Sequence, residues 1–421
     1  MSDILQTKFP NFRHLRAFCD VAEHGSISAA ADQIHLSQPA ITQGLAKLEE
    51  QLGTALFDRR SDGVDPTALG RLYLARVQRA LELVAQGGRE AVRLASKKGN
   101  RGFANFDKLL TTTQLRALIA VARAGNFSLA ARSVGVSQPT LHRSARDLER
   151  LCGITLFTRT PQGIALTPAA DALAQATRLA FAELEQGSAE VAEALGGDPG
   201  RIVVGTMPLP RTFLLPCAIN GLLQDRPEVR VSVVDGPYDD LLHGLRQGEL
   251  DLLVGALRTP VPIADVVQET LFEDPLAVVG RVGHPLAQNP AQPLAPEDLA
   301  AYPWAIPRPG TPTRRHFDNL FPEACRPQNI VESSSLVLIR ELLLGSDRLT
   351  LISAHQIRHE RAHGLLAPLP VDTSGSLRPI GLTFRRDWRP TATQERFLDH
   401  LRAAGQTITD SPQAGGWSAE T

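Results

Sequence analysis

Two periodicities divide the chain. Up to about residue 195, apolar positions recur every three to four residues, the spacing of one buried helical face. From Arg201 onward, short apolar runs alternate with such helical stretches. Phe12, Leu15, Phe18 and Val21 (or Ala22) predict an amphipathic helix over 12–24. Ser28–Ile34 predicts a short second helix, His35-Leu36 a turn, and Ser37–Leu52 a third helix ended by Gly53. Leu56-Phe57-Asp58-Arg59, Gly63 and Val64 predict a small β-hairpin. Leu72, Val77, Leu81 and Val84 then mark a helix over Leu69–Ala85, loosened at Gly87-Gly88.

The same pattern returns 100 positions later. Residues 12–70 align with 112–170 without a gap, and 20 of the 59 positions are identical. A repeat of this length is a whole small domain in two copies rather than a solenoid unit. In copy two, Ala130–Val134 predicts the short helix, closed by Gly135. Ser137 stands as N-cap of the next helix, with Pro139 in its first turn, where a missing N–H costs nothing. Leu141, Ala145 and Leu148 share one face, leaving His142, Arg143 and Arg146 free for an anionic partner. Short helix, glycine turn and capped basic helix define a helix-turn-helix, and the hairpin after it is a wing. The core positions alone would suit any three-helix domain.

These residues resemble the LysR-type transcriptional regulators. Copy one carries Ala30-Ala31, Ser37-Gln38-Pro39-Ala40, Leu48-Glu49, Leu52-Gly53 and Leu56-Phe57-Asp58-Arg59, with Thr67 and Gly70 beyond. Copy two carries Ala130-Ala131, Ser137-Gln138-Pro139-Thr140, Leu148-Glu149, Cys152-Gly153, Leu156-Phe157-Thr158-Arg159 and Leu166-Thr167-Pro168-Ala169-Ala170. The family pattern has one such domain, so the second copy is a departure. The resemblance implies DNA contact from Ser137, Gln138, Pro139, Thr140, His142, Arg143, Arg146 and Arg159. In copy one it implies contact from Ser37, Gln38, Pro39, Ala40, Thr42, Gln43, Lys47 and Arg59. It also implies that the helix after each wing is a dimerising linker helix.

The copies differ in charge. Residues 12–70 hold five basic and eight acidic residues, net -3, with Asp58, Asp62 and Asp65 around the wing. Residues 112–170 hold seven arginines against Asp147 and Glu149, net +5. Phosphate neutralisation supplies most sequence-independent affinity, so copy two is expected to be the stronger binder. Gly44 is expected to weaken the first recognition helix by about 1 kcal/mol relative to alanine.

In the second half, strands are expected at Arg201–Gly205, Val229–Val234, Asp251–Ala256, Leu276–Val279, Trp304–Ile306, Asn329–Val331, Leu349–Ile352 and Ile380–Phe384. Helices are expected at Leu214–Gln224, Tyr238–Gln247, Ser335–Leu344 and Thr393–Ala403. This alternation implies α/β layers with parallel pairing in two lobes, with Leu271–Gly280 crossing between them. It resembles the LysR-type effector domain, of type 2 periplasmic-binding-protein fold, through Gly205-Thr206, Asp251–Gly255 and His284-Pro285-Leu286. Effectors in such sheets bind at strand carboxyl ends. That rule selects Thr206, Met207, Arg211, Gly236, Pro237, Tyr238, Arg308, Thr311, Ser333 and Ser334, though each Ser or Thr is singly explained as a helix cap. Helix ends with Arg211 or Arg308 favour an anionic effector, and the Gly236–Leu242 segment resembles LysR-type regulators of sugar or aromatic-acid pathways, which implies an effector of that type.

The reading is therefore multidomain. Two mainly α-helical winged helix-turn-helix domains with linker helices (10–96 and 110–196) are joined by 97–109, and an α/β effector domain (200–404) and a disordered tail (405–421) follow. A net charge of -1 places any nucleic-acid affinity in a local patch. Four scattered cysteines without metal-type spacing fit a reduced cytosol, each as a small buried apolar residue. A start without a basic flank, and no long apolar run, imply a cytoplasmic protein without a membrane partner. His355, His359 and His363 would share a helical face, but a solvated face is the preferred reading, and no metal, cofactor or catalytic site is assigned. The expected partners are double-stranded DNA, a small-molecule effector and further copies of the chain. Two pairings are open: the two DNA-binding copies as an intramolecular pseudo-dimer, or intermolecular pairing through the second linker helix with copy one as an appendage. The alternative is a solute-binding or enzymatic α/β domain with structural helix-turn-helix copies.

Overall fold

A computed structural model describes residues 7–34, 37–60, 63–96, 102–103, 105–161, 163–197, 200–288 and 294–409. The predicted turn at 35–36 and residues 97–101 and 104 of the joint at 97–109 lie outside the described residues. The chain divides into two compact units, essentially the first 201 residues and the remainder.

In the first unit, copy one forms α1 (Phe12–His24), α2 (Ile27–Ile34), α3 (Gln38–Leu52), strands β1 (Phe57–Arg60) and β2 (Gly63–Pro66), then α4 (Ala68–Ser96). Copy two repeats this as α5 (Thr112–Ala124), α6 (Phe127–Val134), α7 (Gln138–Cys152), β3 (Phe157–Thr160), β4 (Gly163–Leu166) and α8 (Pro168–Ala194). The local signals explain the boundaries. Asn11 caps α1, Thr111 and Gln114 make a capping box on α5, and Gly53, Gly135 and Gly153 end their helices in the left-handed conformation. Phe12, Leu15, Phe18 and Val21 are all fully buried.

α4 and α8 lie antiparallel, with Gly87 beside Ala172, Leu173 and Ala176, and Gly187 beside Tyr73 and Arg76. Gly87-Gly88 does not loosen α4, contrary to the sequence expectation. A Cβ on Gly87 would stand 2.3 Å from that of Ala176, so the glycine lets the backbones approach and the crossing holds the helix straight through. Phe9 stacks on Phe181 at 4.2 Å, and Thr112 Oγ1 donates to the Pro10 carbonyl while accepting from Phe12 N–H. One continuous core therefore runs through both copies.

The second unit has two lobes. The first contains β5 (Arg201–Thr206), α9 (Leu214–Asp225), β6 (Arg230–Asp235), α10 (Tyr238–Arg246), β7 (Leu252–Ala256) and β8 (Val266–Asp274). The second contains β9 (Leu276–Arg281), α11 (Pro296–Ala300), β10 (Trp304–Ile306), α12 (Pro312–Leu320), β11 (Ile330–Glu332), α13 (Leu336–Leu344), β12 (Thr350–Ser353), α14 (Arg358–Ala362) and β13 (Leu366–Pro368). The chain returns to the first lobe through β14 (Arg378–Arg385) and α15 (Ala392–Thr409). Along β9, Leu276 and Val278 enter one core while Ala277 and Val279 enter another, as expected of a strand covered on both faces.

Pairing is mixed rather than parallel throughout. β5 and β7 are parallel, as are β10 and β11, but β14 runs antiparallel between β7 and β8, and β9 is antiparallel to β12 and β13. Strands that cross between lobes re-enter against the grain, which the helix–strand alternation does not reveal. The expected tail also begins too early. α15 continues to Thr409 because Gly405 packs on Leu271 and Ile408 is buried, while 410–421 lie outside the described residues.

Candidate DNA-reading face and effector cleft

Each recognition helix is capped as its sequence demands. The Ser37 side chain accepts from Ala40 N–H on α3, and that of Ser137 from Thr140 N–H on α7. Gln38, Pro39, Ala40, Thr42, Gln43 and Lys47 are exposed, as are Gln138, Pro139, Thr140, Arg143 and Arg159. The side chain of Arg59 lies outside the described residues. Two predicted contacts are partly engaged within the protein. His142 stands edge-on to Phe127 at 4.9 Å, and Arg146 Nη1 lies 2.5 Å from Glu149 Oε2. Of the two predicted arginine contacts on α7, Arg143 is thus the more available. Gly44 has a packing role that its helix propensity conceals, since a Cβ there would come within 3.0 Å of the His14 ring.

The paired Leu-Glu residues hold the wings. Glu149 Oε1 accepts from the amides of Leu156 and Phe157 at 2.9 and 3.0 Å, and Glu49 Oε1 from Leu56 N–H at 2.8 Å. Stranding a buried amide costs about 1–3 kcal/mol. Glu149→Ala is therefore expected to lower the unfolding temperature more than Glu49→Ala, which strands one amide rather than two. Equal shifts in thermal unfolding would overturn this reading.

In the second unit, the residues chosen at strand ends meet different fates. Thr206 is buried and bonds the Met207 carbonyl, and Met207 packs across Gly255. Arg211 pairs with Asp235 at 3.3 Å. Thr311 caps α12 and donates to the Arg308 carbonyl, while Arg308 itself is exposed. Ser333 N–H donates to Ile306, its Oγ accepts from Ser335 N–H, and Ser334 is exposed beside it. The parallel β10–β11 pair therefore does bring Arg308–Thr311 and Ser333–Ser334 together, with Thr311 and Ser333 making local turn and cap bonds. Gly236 and Pro237 lead into α10, whose first residue, Tyr238, lies under Arg258.

Sequence reasoning missed Arg258. Its guanidinium carbon lies 4.2 Å from the Tyr238 ring centre, and both its Nη1 and the Tyr238 hydroxyl are buried without a hydrogen-bond partner. Burial, with Arg315 and Arg378 nearby, pulls the Arg258 pKa below its ordinary value against the opposing pull of Tyr238 and Asp239. Burial, Arg378 and Arg315 lower that of His316 in the same way. Arg258 follows β7, Arg315 and His316 lie on α12 of the other lobe, and Arg378 opens the returning strand. Cations from both lobes thus lie within electrostatic reach of one another. Arg258 was accessible to the strand-end rule, as it closely follows Ala256, whereas nothing in the sequence links it to Arg315 or Arg378.

Where the lobes join, Arg378 stands in register with Asp274. The buried Asp274 carboxylate accepts from Arg378 Nη2 at 2.7 Å and from Ser353, and Arg378 Nη1 donates to Thr313 of α12 at 2.7 Å. Arg358 lies 4.2 Å over the Phe213 ring of the first lobe.

The expected histidine row does not form. Its helix breaks into a short 3-10 turn and α14, so His355 turns in against Phe272 while the His359 and His363 rings stack at 4.2 Å. No metal-binding group is found among the described residues. Of the cysteines only Cys152 is fully buried. Cys19 and Cys325 are half-buried and Cys217 is exposed, against the expectation for the four. No described helix is long and apolar enough to cross a membrane.

A helix-turn-helix module preceding a two-lobed, periplasmic-binding-protein-like domain defines a ligand-responsive DNA-binding regulator. Residues 12–71 and 112–171 each match the bacterial regulatory helix-turn-helix protein family, lysR type, and residues 195–406 match the LysR substrate binding domain. The chain is 34% identical over 384 residues to the HTH-type transcriptional regulator GalR of Pseudomonas putida, spanning 91% of this chain and 94% of that one. That alignment is too long to begin at residue 112, so it runs into copy one. The chain is 30% identical over 314 residues to the regulator PcaQ of Agrobacterium fabrum, covering 73% of this chain and 99% of the relative. Among solved structures it is similar to a full-length OxyR variant of Pseudomonas aeruginosa, with 25% identity, 70% and 95% coverage and a TM-score of 0.52. It shares the fold of ArgP from Mycobacterium tuberculosis, at 18% identity, 69% and 96% coverage and a TM-score of 0.55. The chain belongs to the LysR family of DNA-binding transcriptional regulators and carries that family's effector-binding domain.

Proposed function

We propose that this regulator contacts double-stranded DNA chiefly through α7 and the copy-two wing, and that a small anionic effector held between the lobes sets its activity. A sugar acid or an aromatic acid suits the effector site. The observation that carries this reading is the buried Arg258 Nη1 and Tyr238 hydroxyl, both lacking a partner, with Arg315 and Arg378 close by. A buried donor left unsatisfied costs about 1–3 kcal/mol, which an incoming carboxylate would recover. Arginine also suits a carboxylate by its planar fork of donors. The Tyr238 ring offers an apolar face beside the charge.

The test is calorimetric titration of the full chain with sugar acids and aromatic acids, each beside its uncharged amide. Saturable binding of an acid but not of its amide is expected, with a loss on the order of tenfold or more in Arg258→Ala. Equal binding of acid and amide would reject the anionic effector. An undiminished affinity in Arg258→Ala would move the site elsewhere.

A further inference from the structure

The seam between α4 and α8 repeats with the 100-residue period of the duplication. Gly87 meets Ala176, and the equivalent contact joins Gly187 to Arg76. The two halves of this pseudo-twofold differ in one respect. Where Arg76 stands in copy one, copy two has Ala176. Arg76 is almost fully buried and bonded to Glu183 at 2.9 Å, to Glu190 at 2.6 Å and to Gln186 at 3.1 Å. The positions equivalent to the two glutamates are Leu83 and Glu90, and Glu90 is turned outward to Arg93.

This asymmetry discriminates between pairings. Two α8 helices from separate chains would set the buried Glu183 against Ala176, a carboxylate without a cation. Two α4 helices would set Arg76 against Leu83 and an outward Glu90. Only α4 with α8 sets Arg76 against both Glu183 and Glu190. Breaking a buried pair leaves an uncompensated charge and is strongly unfavourable, and a polar group at one seam position is a well-attested means of fixing which helices pair.

We propose that one chain forms the complete two-reader DNA-binding unit, its α4 and α8 locked together by Arg76, Glu183 and Glu190, and that it reads a duplex whose two halves differ. The second clause rests on the DNA-reading function proposed above. Symmetric readers select symmetric half-sites. Here the recognition faces offer Ala40, Gln43 and Lys47 in one copy against Thr140, Arg143 and Asp147 in the other.

The test has two arms, both on the full chain. In the first, the wild-type protein selects from a random duplex library. Enriched sites pairing two unlike elements are expected, whereas a single inverted pair of identical elements would overturn the proposal. If no sequence is enriched, the DNA-reading function itself fails, and the proposal with it. In the second arm, Arg76→Glu and the Glu183→Arg, Glu190→Arg variant each lose on the order of tenfold or more in affinity for the selected duplex. Combining all three changes in one chain restores binding to within about threefold, since the charges are again complementary. Mixing the two defective proteins does not restore it. Rescue on mixing would show that α4 and α8 pair between chains and would overturn the single-chain unit. If the triple variant does not fold, the mixing result and the selected sequence still decide.

Discussion

Replacing Arg143 and Arg146 together by alanine is expected to weaken binding to the selected duplex by about 100-fold, against a few-fold for Gln43→Ala with Lys47→Ala. A good base contact is worth about 1–3 kcal/mol, and each phosphate contact adds a salt-dependent share. The two arginines should not contribute equally. Arg143 is exposed, whereas Arg146 must first part from Glu149 at 2.5 Å. Arg143→Ala alone therefore carries most of the loss. Mobility shifts at one fixed salt concentration measure this, and equal losses from the two double variants would refute a dominant second copy.

The largest loss of stability is expected at the join between the lobes. Asp274 is wholly buried and bonded to both Arg378 and Ser353. Asp274→Ala leaves a mostly buried guanidinium without its carboxylate, a change that costs about 3–5 kcal/mol. For a domain of roughly 200 residues this corresponds to about 10 °C in the unfolding temperature of that unit. Asp274→Asn keeps a partner for Ser353 but loses the charge opposite Arg378, and should fall between. Thermal unfolding within about 2 °C of wild type in Asp274→Ala would show that the crossing strands are held by other contacts.

The element order of the N-terminal half was legible because its signals are local. Periodic Phe12, Leu15 and Phe18, the capping Ser37 and Ser137, and the terminal Gly53 and Gly153 each act within a few residues. The second half was legible in most of its strands but not in their directions. β8 and β13 were missed, and α12, with its run of polar residues, gave little apolar period. Gly87 was misread because a glycine in a helix has opposite meanings according to what lies across from it. Here that is Ala176, far away in sequence. Of the residues in the proposed effector site, Tyr238 was selected by the strand-end rule, while Arg258, Arg315 and Arg378 come together only when folding gathers them.

The antiparallel packing of α4 on α8 within one chain also changes how the protein responds to dilution. Two separate subunits come apart once their concentration falls below the dissociation constant of their interface. Helices carried on one chain meet at an effective concentration set by the chain that joins them, on the order of millimolar, however few molecules a cell contains. A regulator kept at a handful of copies would therefore not lose this packing by dilution.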